Sequence, residues 1–150
     1  MGVEENKKIL QRYFDELHNN GDYSKSSEIL HEDYSGSAGG GIKGIEGLKQ
    51  YRNYMHSMSS DMQFNVAEMI AEGNKIAVFG EWSGTFDGEY LGIPATYKKF
   101  TYELATVYEF KDGKVLNGLT RAIGNQLAIF QQLGILPSVE EIANNYGESH

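Results

Sequence analysis

The chain has 150 residues, 40 % of them hydrophobic and 12 % aromatic, which is the size and composition of one globular domain rather than of a disordered segment. It contains no cysteine, excluding a disulfide framework, a thiolate metal site and a cysteine nucleophile, and suiting a reducing compartment. Its net charge is −8, from 13 basic and 21 acidic residues, with no basic run longer than Lys7-Lys8 or Lys98-Lys99, so it lacks the patch that would bind nucleic acid or an anionic membrane surface.

Met1 to Asn6 is acidic and has no signal-peptide core, and no stretch approaches the roughly 18 apolar residues of a membrane span. A cytoplasmic protein is expected. Leu10, Tyr13, Phe14 and Leu17 are spaced i, i+3, i+4, i+7, which predicts an amphipathic helix from about Glu4 to Asn19. Asn20-Gly21 stops it, and Asp22 can cap a short second helix reaching about Leu30. Ser35 to Gly41 reads as a flexible loop. A third helix is expected from Ile45 to Met58, with Leu48, Tyr51, Met55 and Met58 on one face.

The period then changes. Met62, Phe64 and Val66 alternate, as do Ile76, Val78 and Trp82, with a hairpin turn at Glu72-Gly73-Asn74 between them. Residues 98–110 form the longest strand, and Asp112-Gly113 marks a tight turn. Val115 to about Asn125 reads as the last strand, and Leu127 to Leu133 as a short closing helix ended by Gly134 and Pro137. Three helices followed by a four-stranded antiparallel meander make an α+β domain over residues 1–137, with 138–150 a polar, loosely held tail. Helices laid across the concave face of a curved sheet leave a cavity between the layers.

The strings NKKILQRYFDELHNNGD (6–22), EWSGTFD (81–87), GEYLGIP (88–94), KDGKV (111–115) and IFQQLGILP (129–137), in this order and spacing, resemble the SnoaL-like polyketide cyclases of the nuclear transport factor two-like superfamily. The resemblance covers about residues 4–137. It implies a cone-shaped, cystatin-like homodimer with a deep hydrophobic cavity and aldol ring closure without metal or organic cofactor. That chemistry needs a general acid/base beside a carbonyl and donors for the enolate. Counting back from Gln131-Gln132, the family's catalytic aspartate falls on Asn125, an amide that cannot exchange a proton near neutral pH. Thr106 stands near a position where the family often carries an acid or histidine. The family's loop histidine is replaced within Ser35 to Ala38.

Asn117, Leu119, Arg121, Ile123 and Asn125 alternate, and this face is assigned to the cavity, so that Arg121 and Asn125 would hold an oxyanion with Thr106 nearby. Arg121 could equally form a structural ion pair with Glu103 or Glu81, which are also the candidate replacement bases. Strict alternation puts Glu103 opposite Tyr102, Thr106 and Tyr108, facing away from the cavity. Tyr13, Phe14, Leu17, Tyr34, Tyr51, Met55, Trp82, Tyr102 and Ile123 are the expected substrate contacts, with Tyr54 a further tyrosine able to ring the cavity. His31 and Asp33 make an HxD pair better read as surface or capping groups than as a metal site. Gly39-Gly40-Gly41 lacks the Lys-Ser/Thr of a phosphate loop. Two functions remain open: a cofactor-free cyclase or isomerase (or an oxygenase or epoxide hydrolase on the same scaffold), which needs an ionisable group in the cavity, and a binding module, which does not.

Overall fold

The first apolar stripe forms a helix whose second half is wound wider than its first. In the computed structural model, which describes residues 2–36, 41–118 and 123–149, α1 (Val3–Arg12) runs directly into a π-helical stretch (Tyr13–Asn20). The wider turn places Tyr13, Phe14, Leu17 and His18 together on the buried side. Gly21 ends the helix in the left-handed conformation at φ 64°, and Arg52 donates to the carbonyls of His18 and Asn19 there (2.7 and 3.1 Å). Next come α2 (Ser26–Ile29), β1 (Leu30–Gly36), β2 (Ile42–Lys43) and α3 (Gly44–Met58).

β3 (Gln63–Glu72) and β4 (Lys75–Thr85) form the expected hairpin around Gly73, and β5 (Lys99–Lys111) is the 13-residue strand. β6 (Lys114–Gly118) follows the Asp112-Gly113 turn, where both residues take positive φ. Of the expected last strand, residues 119–122 lie outside the described residues; beyond them β7 (Ile123–Gly124) pairs with β5 through Leu104↔Gly124 and Ala105↔Ile123. Then come α4 (Gln126–Gln132) and α5 (Val139–Ser149). The polar tail is therefore helical from Val139 to Ser149. Its start carries a reciprocal cap: the Ser138 hydroxyl accepts from the Glu141 N–H at 3.1 Å, and the Glu141 carboxylate accepts from the Ser138 N–H at 2.7 Å.

The four-stranded meander is part of a larger sheet. Its order is β2-β1-β6-β5-β4-β3, with β7 off the path. All pairings are antiparallel except β1 with β6, which is parallel, Leu30 opposite Val115. Along β4 and β5 the even positions are buried: Ile76, Val78, Trp82, Phe100, Leu104, Thr106, Tyr108 and Phe110. Gly80 belongs to that face, where a Cβ would stand 2.5 Å from the Phe64 ring. The odd positions form the outer face, on which Ile70 and Phe79 remain exposed. No helix among the described residues is long and apolar enough to cross a membrane.

Candidate functional site

A cavity of about 470 Å³ opens between α3, the β4–β5 end of the sheet and α4. Helical spacing brings Tyr51, Tyr54, Met55 and Met58 of α3 to one wall, while Trp82 and Tyr102, directly opposite each other on β4 and β5, make the floor with Phe100 and Leu104. Met62 closes the α3 side. Ile129, Phe130 and Leu133 of α4, with Gln126, form the remaining side.

Two connections hold this geometry. The β4–β5 crossover is pinched at its base, where the Phe86 N–H donates to the Lys98 carbonyl and the Tyr97 N–H to the Phe86 carbonyl, each 2.9 Å. Its tip, where Tyr90 and Ile93 bond each other, brings Tyr90 to the cavity. Helix α4 is fastened to β5 by Gln132, whose amide accepts from the Thr101 N–H (2.8 Å) and donates to the Thr101 carbonyl (3.0 Å), as a neighbouring strand would. Gly124 matters because the Tyr102 hydroxyl lies where its Cβ would be, 2.1 Å away. Any side chain there displaces Tyr102.

Chemically the lining is aromatic, aliphatic and thioether. The polar groups of its lining residues are the hydroxyls of Tyr51, Tyr54, Tyr90 and Tyr102, the indole N–H of Trp82 and the amide of Gln126. Among the described residues no Asp, Glu, His, Lys or Arg lines it. Burial, helped by the nearby Tyr102, pushes the Tyr51 hydroxyl up to about 12, and burial raises Tyr102 as well. Near neutral pH both are hydrogen-bond donors, not bases.

Of the expected contacts, Tyr51, Met55, Trp82 and Tyr102 meet at the cavity, as does Tyr54. Tyr13, Phe14, Leu17 and Tyr34 do not line it. They are packed in the core at the other end of the sheet, where the Tyr13 and Tyr34 hydroxyls share a 2.8 Å hydrogen bond and Phe14 stacks on Phe64 with ring centroids 4.4 Å apart. Thr106 is buried on the inner face, between Leu104 and Tyr108.

Asn125 and Ile123 are corrections. Asn125 is exposed and caps α4, its side-chain oxygen accepting from the Ala128 N–H at 3.1 Å. Ile123 pairs with Ala105, on the outer face, and is 75 % exposed. Asn117 pairs with Glu109, also on the outer face, and its amide binds that carboxylate at 3.1 Å. The physical reason is a register shift between β5 and β6 at Glu109/Phe110, which puts Asn117 on the face opposite to that of Val115, where strict alternation would have kept them together. Leu119 and Arg121 lie outside the described residues, as do residues 37–40 of the expected loop.

Glu81 and Glu103 are opposite each other on the outer face, Glu103 exposed and Glu81 half-buried. Asp61 is held below the usual carboxylate range by the Thr85 N–H and hydroxyl and by Ser59. Asp87 is held down by the Ser60 hydroxyl and N–H. Both tie down the crossover's base. His31 is buried rather than at the surface. Its Nδ1 accepts from the Asp33 N–H at 3.1 Å, and its Nε2 lies 3.6 Å from Asp112.

Sequence reasoning missed Phe100 and Leu104, although they continue the period-two face of Tyr102. It also missed the α4 side, where Ile129, Phe130 and Leu133 form a legible i, i+1, i+4 stripe.

The model of the SnoaL-like polyketide cyclase family matches residues 8–133. Among solved structures, TsrD from Streptomyces laurentii is 24 % identical with a TM-score of 0.78, over 91 % of this chain and 99 % of that one. A protein from Jannaschia sp. CCS1 described as a SnoaL-like polyketide cyclase is 20 % identical with a TM-score of 0.75, over 89 % and 94 %. IdmH from Streptomyces antibioticus is 19 % identical with a TM-score of 0.73, over 86 % and 98 %. At these identities the likeness is one of fold. No curated protein matches the chain.

Proposed function

The chain belongs to the SnoaL-like polyketide cyclase family, and within that family we propose that it binds a flat, hydrophobic, carbonyl-bearing small molecule without carboxylate-driven ring closure. The observation that carries this reading is the lining itself: aromatic and thioether walls, tyrosine, tryptophan and glutamine donors, and no acid, base or histidine among the described residues that form it. Aromatic walls offer dispersion and stacking to a planar ligand. The Tyr51 and Tyr102 hydroxyls, kept protonated by burial, donate to a carbonyl oxygen and hold it. They cannot remove the proton beside it, and no other described lining residue offers a base for the first step of aldol closure.

The working unit in this reading is a cytoplasmic homodimer. Ile70, Phe79 and Ile123 expose apolar surface on the outer face of the sheet, a patch that a second copy would cover.

Trp82 is the single tryptophan of the chain and forms part of the cavity floor, so its emission reports occupancy directly. Titration with a planar aromatic ketone such as anthrone is expected to change Trp82 emission saturably, with matching heat in calorimetry and the ligand recovered unchanged by mass spectrometry. No saturable change would overturn the binding reading, and recovery of an isomerised ligand would replace it with a catalytic one.

A further inference from the structure

One glycine beside the cavity has no backbone reason to be a glycine. Gly124 ends β7 and does not take a positive φ, so its conformation is open to other residues. Glycine weakens a strand and offers no side chain to pack, and it marks places where another group must come close. Here that group is Tyr102. Gly124 pairs with Leu104, which sets Tyr102 diagonally across the two strands on the same inner face. An added Cβ would overlap the Tyr102 hydroxyl oxygen and Cζ and would stand 2.6 Å from Cε2. The hydroxyl end of the ring therefore rests in the notch that the missing side chain leaves.

The neighbours hold that notch in place. Asn125 follows directly as the cap of α4, and Gln132 of α4 is bonded to Thr101, the residue before Tyr102. Trp82 stands opposite Tyr102 on β4. From α3, the Tyr51 hydroxyl is close enough for Tyr102 to influence its ionisation. Two donors from different elements thus reach one region of the cavity, and a carbonyl oxygen can accept from both only while both keep their places.

We propose that Gly124 is a positioning residue for the ligand: it seats the Tyr102 hydroxyl where, with that of Tyr51, it holds a ring ketone. The inference rests on the binding reading and adds to it a specificity determinant that does not itself line the cavity. Alanine at this position moves the ring, and the hydroxyl with it, away from the carbonyl. The walls that Met55, Trp82 and Phe130 offer to the rest of the ligand stay where they are.

Two planar probes that differ by a carbonyl in place of a methylene, 1-indanone and indane, test this by calorimetry on the full chain. Transfer from water alone favours the hydrocarbon by about ten-fold or more. The wild type should nevertheless bind 1-indanone at least as tightly. Gly124→Ala should lower the ratio of ketone to hydrocarbon affinity by about five-fold or more, and Tyr102→Phe, which keeps the ring and loses the hydroxyl, should lower it equally. Combined, they should lower it no further than either alone. Stability gives a second reading that needs no ligand: Tyr102→Val removes the overlapped atoms, so it should lower the melting temperature less in the Gly124→Ala background than in the wild type. Equal losses in the two backgrounds would overturn the contact. An unchanged ratio in Gly124→Ala, or a further fall when it is added to Tyr102→Phe, would overturn the positioning role and leave the cavity reading standing. So would indane bound more tightly than 1-indanone by the wild type. Failure of both probes to bind would overturn the two readings together.

Discussion

The two ends of β5 teach different lessons although they belong to one strand. At the Tyr108–Phe110 end, the π-helical turn drives Tyr13, Phe14, Leu17 and His18 into the sheet, and the rings interlock edge to face and stacked. At the Phe100–Leu104 end, the facing elements are α3 and α4, which stand apart and leave the cavity. The inner face is equally apolar at both ends. What differs is the helix above it, so emptiness here is set by the path of the covering helices and not by the residues of the sheet.

The sharpest way to break this contrast is to cut the filled end. Phe14→Ala should destabilise the protein by about 3–5 kcal/mol in a denaturant titration, whereas Phe130→Ala, at the open end, should cost about 1 kcal/mol or less and mainly weaken ligand binding. Equal losses would mean that both ends are packed alike.

Acid should attack the same filled end. Burial, reinforced by Arg52 and His56, pushes His18 down to about 3 from an ordinary 6.5. The unfolded chain therefore takes up a proton below about pH 6.5 that the folded chain refuses until about pH 3. Stability is full above that window and falls across it, by up to about 1.4 kcal/mol per pH unit. His18→Gln should flatten the slope between pH 6.5 and pH 4.5. An unchanged slope would show that His18 is not held neutral by the fold.

Filling the open end should do the opposite of emptying the closed one. Leu104→Trp adds volume toward free space, so binding of a planar ketone should fall about ten-fold or more while the melting temperature moves by only a few degrees. The smallest effect is expected at Asn125. As a helix cap, Asn125→Ala should cost about 1 kcal/mol and leave ligand affinity unchanged. A large loss of affinity at unchanged stability would return Asn125 to the site.

How legible each part was depended on how local its signal is. The helices bearing Leu10–Leu17 and Leu48–Met58, the Gly73 and Asp112-Gly113 turns and the face of β5 follow from periods and turn residues a few positions apart. Tyr51, Met55, Trp82 and Tyr102 were found at the cavity because each sits on such an element. Asn117 was misplaced because alternation was carried through a register shift that no local pattern announces, and Ile123 and Asn125 were placed by carrying the same count onward. Tyr13, Phe14, Leu17 and Tyr34 were rightly seen as inward-facing, but inward does not distinguish core from cavity. The reciprocal cap of α5 was readable in Ser138-Val139-Glu140-Glu141 and was overlooked.

The parallel pairing of β1 with β6 has a consequence for biosynthesis. Leu30 waits for Val115, a partner that emerges from the ribosome seconds later at ordinary elongation rates. Until then, the aromatic face of the first helix has no complete sheet to rest on. A nascent chain that stops before residue 115 lacks the strand on which β1 rests, so the two halves of the chain must be present together before this edge of the sheet can close.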